Sequence, residues 1–280
     1  MRHILLYTGV TMPELPEVET VVRGLRAPLV GRTITGAWLD WPNSLVMPSA
    51  EAFTVRLPGQ TIRSVERRAK YILIGLHSDT LLIHLKMSGR LYVAPVGASR
   101  EADRWVHFRF SLDNDHELRF SDARKFGRVY LVSDAAAVVG KLGPEPLDDA
   151  FTLEAFCALL MQRRGTIKPL LLNQTFIAGI GNIYADEALH RAGIHPLRRV
   201  ESLNPEEQAR LYAGIRAALL AGIDHEGASI HWYRKPDGSR GESQDHFRVY
   251  GRAGHPCPVC GAPIQPVSYT HLTLPTIYSV

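Results

Sequence analysis

The hydrophobic positions near the start of the chain repeat with the period of a helix. Between residues 15 and 29 they fall mostly three or four positions apart, which places them on one helical face. The stripe consists of Leu15, Val18, Val21, Val22, Leu25 and Leu29. The pattern predicts an opening amphipathic helix that buries this face.

From residue 33 to residue 133 the pattern changes to short alternating runs separated by turn residues, which is typical of β-strands. Examples are the runs 71–76, 81–85, 91–93 and 105–110. Asp113, Asn114 and Asp115 stand between two such runs and predict a hairpin turn. Many closely spaced strands after one helix predict a β-sandwich.

The period becomes helical again after a stiff, polar boundary that contains two prolines and three acidic residues. Helices are predicted at 153–163, 167–172, 183–191 and 205–221, the last with Asn204 as cap and Pro205 at its first position. The Gly-, Ser- and charge-rich segment 228–244 predicts a mobile loop. The fold class is therefore α+β with two domains. Their predicted ranges are 13–142 for the sandwich domain, 143–150 for the linker and 151–227 for the helical domain.

With 280 residues, 45% of them hydrophobic and 21% charged, the chain is long enough for two domains with cores of their own. No apolar run approaches the roughly 18 residues of a membrane helix, so we expect no membrane partner. The net charge is only +4, but basic residues cluster at 63–70, 124–125, 163–164 and 198–199, which favours a polyanionic partner. Three cysteines, two of them in one CxxC, indicate a reducing compartment and a metal site rather than disulfides.

The run MPELPEVET occupies residues 12–20 and reads like a start codon followed by a mature N-terminus. Proline at a free N-terminus is a secondary amine with a pKa near about 7.7–8.0, so it can act as a nucleophile. Inside a chain its nitrogen is an amide without nucleophilic chemistry. We therefore expect residues 1–12 to be an extension that is absent from the mature chain. The alternative is an ordinary helix start, in which Glu17 and Glu19 complement the helix dipole.

This run resembles the N-terminus of the bacterial formamidopyrimidine-DNA glycosylases, which excise oxidised purines from DNA. The resemblance implies that Pro13 is the Schiff-base nucleophile, that Glu14 is the adjacent acid and that Glu17 supports the nucleophile. Lys70 matches a lysine that the family places near the phosphate of the damaged nucleotide. Without the resemblance, a lysine at the start of a strand is usually a surface residue.

A second resemblance covers residues 168–187, which include the run GIGNIYADE and match the helix–two-turn–helix element of the same family. Paired glycines allow backbone N–H groups to approach a phosphate at the start of a helix. Lys168 and Asn182 would add side-chain donors that fix the register on DNA. The alternative is a Gly-rich turn that serves packing only.

The runs HLKMSG at 84–89 and DARKFG at 122–127 match a further pair of family motifs. By resemblance His84 belongs to the DNA-binding residues, Met87 and Phe126 enter the duplex as apolar wedges, and Arg124 hydrogen-bonds the base left behind. Unstacking and extruding a base requires such wedges. Considered alone, Met87 and Phe126 would more often be core residues.

Cys257 and Cys260 form half of a zinc finger within residues 245–266. A structural zinc site requires four ligands, usually from two CxxC pairs. The second pair is missing, and residues 267–280 resemble a foreign or frame-shifted end. The family resemblance implies Zn²⁺, whereas the missing pair argues against it; His271 is a candidate third ligand.

The resemblance implies a bifunctional DNA glycosylase and AP lyase for 8-oxoguanine and formamidopyrimidines. Its expected partner is duplex DNA with oxidised bases, and we expect a monomer in the bacterial cytoplasm, at the nucleoid. One alternative is an inactive damage-binding protein in which the proline is blocked. Others are an endonuclease VIII-like enzyme for oxidised pyrimidines and a damaged or chimeric gene copy.

Overall fold

The computed structural model describes residues 12–267. Residues 1–11 of the predicted extension lie outside the described residues. The tail after residue 267, which includes His271, lies outside them as well. Two hydrophobic cores account for most buried apolar side chains, one inside a β-sandwich and one among helices. This arrangement confirms the α+β, two-domain fold class.

Helix α1 (Leu15–Leu29) is the predicted opening helix, and it contributes to both cores. Leu15 packs in the helical core, whereas Val18 and the rest of the apolar stripe pack in the sandwich core. The first turn of α1 is therefore the place where the two cores meet.

The sandwich has two sheets that enclose its core. The first sheet has the order β1-β7-β8-β6 and is antiparallel throughout. The second has the order β2-β9-β5-β4-β3, in which only β2 and β9 are parallel. The strands are β1 (Ile34–Leu39), β2 (Leu45–Met47), β3 (Ser64–Arg68), β4 (Tyr71–Gly75), β5 (Thr80–His84), β6 (Gly89–Pro95), β7 (Val106–Leu112), β8 (His116–Asp122) and β9 (Arg128–Val132).

Strands β4, β5, β6 and β7 begin and end within two residues of the predicted runs 71–76, 81–85, 91–93 and 105–110. The hairpin turn at residues 113–115 joins β7 to β8 as predicted, and Asp115 has a left-handed φ of +56°. Two short helices, α2 (Ala50–Arg56) and α3 (Ala136–Val139), were not predicted.

The second half of the described chain is helical, as predicted. It contains α4 (Leu153–Met161), α5 (Ile167–Leu172), α6 (Asn182–Ala192) and α7 (Pro205–Asp224). Helix α4 ends two residues before its predicted end, and α7 continues three residues beyond it. Gly193 stops α6 in the left-handed conformation at φ +66°, and Asn204 caps α7 by accepting from the Glu207 N–H.

The segment 228–244, predicted to be a mobile loop, touches the sandwich domain at several points. Arg90 Nε donates to the Trp232 carbonyl at 3.0 Å, and Arg100 Nη1 donates to the Pro236 carbonyl at 3.0 Å. The rings of Trp105 and Trp232 meet edge to face with 5.7 Å between centroids. The segment thus bridges the two domains, and its mobility remains a prediction.

Candidate active site and DNA-binding surface

Glu14 lies just before α1, and its side chain extends into the helical domain. Its two oxygens accept hydrogen bonds from the backbone N–H groups of Gly181 (2.8 Å), Ile183 (2.9 Å) and Tyr184 (3.3 Å), at the start of α6. The side chain is 3% exposed. Burial raises the pKa of Glu14, and the charge of Lys70 and the three N–H bonds oppose that rise. A carboxyl in this setting can hold or release a proton.

The two glycines of the GIGN run leave space that the side chains of Glu14 and Leu15 occupy. A Cβ on Gly181 would lie 2.3 Å from Cδ of Glu14, and one on Gly179 would lie 2.7 Å from Cδ1 of Leu15. Gly179 also has a φ of +90°, and its carbonyl accepts from the Leu15 N–H at 3.0 Å.

The prediction that these backbone N–H groups hold a DNA phosphate is therefore wrong for Gly181, since that N–H and those of Ile183 and Tyr184 already bind a carboxylate of the same chain. The physical principle is the expected one, because the start of a helix attracts an anion. The anion here is Glu14.

Glu17 lies in the first turn of α1 and connects three parts of the site. Its carboxylate accepts from the Glu14 N–H (2.9 Å), the Tyr184 hydroxyl (2.7 Å) and the Ala228 N–H at the start of the 228–244 segment (2.7 Å). Burial, together with the charge of Glu14, raises the pKa of Glu17 to about 7. At neutral pH Glu17 is therefore poised between its two protonation states.

Lys70 is the cation of the same buried cluster. It is 6% exposed and lies immediately before β4, so the usual surface position is excluded. Burial lowers the pKa of Lys70, while the charges of Glu14 and Glu17 raise it. Pro13 precedes Glu14 and is buried as well. The four residues predicted to be catalytic thus gather at the start of α1.

A second group of positive charge lies next to Lys70. Burial lowers the pKa of Lys86, and the charges of Arg128 and Lys70 lower it further. His84 is buried, and burial followed by the charges of Lys86 and Lys70 lowers its pKa well below the ordinary value, so it is neutral. Its Nδ1 accepts from the Lys86 N–H at 3.0 Å. A cluster of positive charges attracts an anion.

The turns that carry Met87, Arg124 and Phe126 are tied together by a buried carboxylate. Asp122 accepts from the Ser88 hydroxyl, and its other oxygen accepts from the Gly127 N–H at 2.6 Å. The Arg124 guanidinium lies 4.7 Å from the centroid of the Phe126 ring. Both of these side chains are exposed and Met87 is half-buried, so the alternative of a core position fails for Phe126.

Lys168 and Asn182, both predicted to contact DNA, differ in their exposure to solvent. Lys168 Nζ forms an ion pair with Asp186 at 2.7 Å, and the pair is largely buried. Asn182 is the exposed first residue of α6. Their contacts with DNA remain predictions.

The finger segment is held against α6 by Glu187. This carboxylate is 2% exposed and accepts from the backbone N–H groups of Arg248 (2.9 Å), Val249 (2.9 Å) and Tyr250 (3.1 Å). Arg191 pairs with its second oxygen at 2.8 Å. A buried acid thus fastens residues 248–250 to α6.

The thiol of Cys257 lies 3.3 Å from Nε2 of His190 in α6. Hydrogen bonding from His190 lowers the pKa of Cys257 to about 6. Among residues 12–267, however, no three His, Cys, Asp or Glu side chains are grouped to hold a metal ion, so these donors do not fit a four-ligand zinc site. Zinc binding by Cys257 and Cys260 stays a prediction.

Several residues that shape the site were not predicted. Tyr184 and Glu187 lie one turn apart on α6, each buried and each bound to a distant segment. The only signal in the sequence is an acid and a tyrosine on an otherwise apolar face. Lys86 and Arg128 stand inside or beside the runs already noted, but nothing local distinguishes them from surface charges.

Within the described part of the chain, no helix combines the length and the apolar character that a membrane span requires.

Two family models match the chain. Residues 12–129 match the formamidopyrimidine-DNA glycosylase N-terminal domain, and residues 142–233 match the formamidopyrimidine-DNA glycosylase H2TH domain. Together they cover the opening helix and most of the sandwich and of the helical core.

Curated relatives and solved structures agree with these matches. Formamidopyrimidine-DNA glycosylases of Herpetosiphon aurantiacus and Chloroflexus aurantiacus are 49% and 50% identical over 258 residues, which is 91% of this chain and 94% and 92% of theirs. A mutant Lactococcus lactis enzyme in complex with DNA containing Fapy-dG superposes with a TM-score of 0.85 at 35% identity, covering 92% of this chain and 95% of that one. MutM from Thermus thermophilus gives 0.81 at 36% identity, with 92% and 94% covered. The chain therefore belongs to the formamidopyrimidine-DNA glycosylase family of DNA-repair glycosylases.

Proposed function

We propose that this chain is a bifunctional DNA glycosylase and AP lyase that excises oxidised purines, such as 8-oxoguanine and formamidopyrimidines, from duplex DNA. The observation that carries the proposal is the buried cluster of Glu14, Glu17 and Lys70 beside Pro13, at the meeting point of the two domains. Buried groups with displaced pKa values are typical of active sites.

The proposed first step is attack by the free amine of Pro13 on C1′ of the extruded nucleotide. The nitrogen lone pair forms the N–C1′ bond, and the bond from C1′ to the base breaks, with the base taking the electron pair and, in the overall balance, the proton that the proline nitrogen loses. Glu14 gives its proton to the sugar ring oxygen as the ring opens, which leaves an iminium. The raised pKa of Glu14 suits a group that must hold that proton until it is needed.

The lyase steps follow from the iminium. It acidifies the C2′ proton, so loss of this proton breaks the C3′–oxygen bond in β-elimination. Loss of the C4′ proton in a second elimination, the δ-elimination, breaks the C5′–oxygen bond, and water then hydrolyses the iminium to release Pro13. The protein must neutralise the flanking phosphates, and the cationic group of Lys70, Lys86 and Arg128 supports this role.

Extrusion of the base is assigned to the exposed turns. Phe126 and Met87 would fill the space in the stack, and Arg124 would hydrogen-bond the base left behind. The 228–244 segment, joined to Glu17 through Ala228, would close over the extruded base.

The test is borohydride trapping on duplex containing 8-oxoguanine, with two forms of the protein. Protein translated from Met12, whose mature first residue is Pro13, is expected to form a covalent adduct that peptide mapping places on Pro13. Protein that retains residues 1–11 is expected to form none, because its proline nitrogen is an amide.

Three results would redirect the proposal. An adduct mapped to a lysine would refute the proline mechanism. Damage-specific binding by the form beginning at Pro13, without any adduct, would favour the inactive binding protein. Faster excision of oxidised pyrimidines than of 8-oxoguanine would favour the endonuclease VIII-like alternative.

A further inference from the structure

We propose that Glu145, in the linker between the domains, is a positioning residue for Lys70 and acts through the turn at Ala69. The inference rests on the proposed function, in which Lys70 serves the reaction at the active site. Glu145 itself lies outside the active-site cluster.

The Glu145 carboxylate is bound to three consecutive residues that lead to Lys70. Its Oε1 accepts from the Ala69 N–H at 2.6 Å and from Arg68 Nη1 at 2.9 Å. Its Oε2 accepts from Arg67 Nη1 at 2.6 Å. The Glu145 side chain is 16% exposed, so the surrounding structure shields these charge-assisted bonds from water.

Ala69 needs this support because of its conformation. It joins β3 to β4 with a φ of +54°, in the left-handed region that L-residues other than Gly, Asn and Asp seldom adopt. Both of its backbone polar groups are held, the N–H by Glu145 and the carbonyl by Arg67 Nη1 at 3.2 Å. The direction in which Lys70 leaves the turn therefore depends on contacts made by Glu145 and Arg67.

The same contacts connect the turn to the linker backbone and to α1. Arg68 Nη2 donates to the carbonyls of Leu142 (3.1 Å) and Gly143 (2.5 Å). Arg67 Nε also pairs with Glu19 of α1 at 3.0 Å. The linker, the turn and the helix that starts beside Pro13 thus form one connected unit. Without Glu145, Arg67 and Arg68 would repel each other beside an unsupported Ala69.

Loss of the carboxylate should let Ala69 relax toward a negative φ and displace Lys70 from the acids it faces. Displacement of a reacting group by about 1 Å can cost up to about 100-fold in rate. We expect Glu145→Ala to lower the single-turnover excision rate by about 10- to 100-fold with little change in the affinity for damaged duplex. Glu145→Gln should recover part of the loss, since its amide oxygen still accepts from the Ala69 N–H.

A double-mutant cycle with Lys70→Ala separates positioning from general damage. If Glu145 acts through Lys70, adding Glu145→Ala to Lys70→Ala should cost little more than Lys70→Ala alone. Asp148→Ala is the matched control, because Asp148 is an exposed carboxylate of the same linker whose side chain caps only the Ala150 N–H. It should leave the rate unchanged. Fully additive effects would overturn the proposal.

Hydrogen exchange at the Ala69 amide provides a readout that does not need activity. Its protection should fall in Glu145→Ala, persist in Asp148→Ala and be partly retained in Glu145→Gln. Unchanged protection in Glu145→Ala would overturn the positioning role. If the unmodified protein excises no oxidised purine, the proposed function fails, and the exchange result still decides whether Glu145 holds the turn.

Discussion

The backbone N–H of Gly181 donates a 2.8 Å hydrogen bond to Oε2 of Glu14, across a separation of 167 residues. This bond joins the acid predicted to protonate the sugar to the helix–two-turn–helix element of the other domain. It explains why that turn contains glycine, since Cδ and Oε1 of Glu14 occupy the space that a Cβ would need. Catalytic geometry and domain packing therefore depend on the same contact.

Gly181→Ala should damage both stability and activity. The added Cβ would lie within 2.4 Å of two carboxyl atoms of Glu14, so the acid or α6 must shift. Overpacking of this kind costs about 1–3 kcal/mol of unfolding free energy, and Glu14 should lose its alignment with Pro13. Urea unfolding and cleavage of duplex with an abasic site measure the two effects.

Gly36→Ala is the control for that substitution. A Cβ on Gly36 of β1 meets nothing closer than 3.7 Å, so activity should stay at the level of the unmodified protein. Equal activity in Gly181→Ala and Gly36→Ala would contradict the packing argument.

Glu187→Ala should release the finger segment without unfolding the cores. The substitution leaves the N–H groups of Arg248, Val249 and Tyr250 without their acceptor. A hydrogen bond to a charged group contributes about 1.5–3 kcal/mol. We expect faster proteolysis after residue 245 and weaker binding of duplex DNA.

Limited proteolysis with mass spectrometry locates the first cleavage in that variant. Glu206→Ala, which removes an exposed acid from the first turn of α7, should give the cleavage pattern of the unmodified protein. A Glu187→Ala protein with that same pattern would show that Glu187 does not anchor the segment.

Local pattern predicted the elements of this fold better than it predicted their contacts. The stripe that begins at Leu15 predicted α1, and the turn at Asp113 predicted the β7–β8 hairpin. Both elements depend mainly on residues that are close together in the chain. The two short helices α2 and α3 escaped prediction since a helix of one or two turns gives little periodicity.

Some contacts of the site could not be predicted from the sequence, for a different reason. The partner of the GIGN turn is Glu14, and the partner of Glu187 is a segment about 60 residues away, so neither contact leaves a local signal. Family resemblance located Lys70, but the support that Glu145 gives its turn appears only when the linker folds back onto β3.

Phe126→Ala should reduce excision from paired duplex while leaving the fold intact. The ring is 44% exposed and contacts the Arg124 guanidinium, so its loss should change the unfolding free energy by no more than about 0.5 kcal/mol. If the ring fills the space of the extruded base, excision of 8-oxoguanine should fall by about 10-fold or more, corresponding to the few kcal/mol of unstacking.

An abasic site needs less unstacking, so the Phe126→Ala protein should cleave it at closer to the normal rate. Val55→Ala, at a side chain 78% exposed in α2, serves as the control and should alter neither rate. Equal losses of Phe126→Ala on both substrates would argue against a wedge.

Glu17 should make stability fall as the pH rises toward neutrality. Burial and the charge of Glu14 raise the pKa of Glu17 from its ordinary value of 4.5 to about 7 in the folded chain. Between these values the folded state binds more protons than the unfolded state, so the free energy of unfolding decreases with pH. The stability lost over this range is on the order of 3 kcal/mol, and the loss is complete above pH about 7.

Urea unfolding of the unmodified protein and of Glu17→Gln at pH 5, 6, 7 and 8 measures this contribution. The stability of the unmodified protein relative to Glu17→Gln should fall from pH 5 to pH 8, because only the unmodified protein must give up a proton held in the native state. Glu19→Gln is the control. Burial raises the pKa of Glu19, but pairing with Arg23 and Arg67 outweighs burial and lowers it. The stability that Glu19 contributes is therefore lost only as the pH falls through the acid range. If the stability of the unmodified protein relative to Glu17→Gln stays flat or rises from pH 5 to pH 8, the proton lies elsewhere in the cluster.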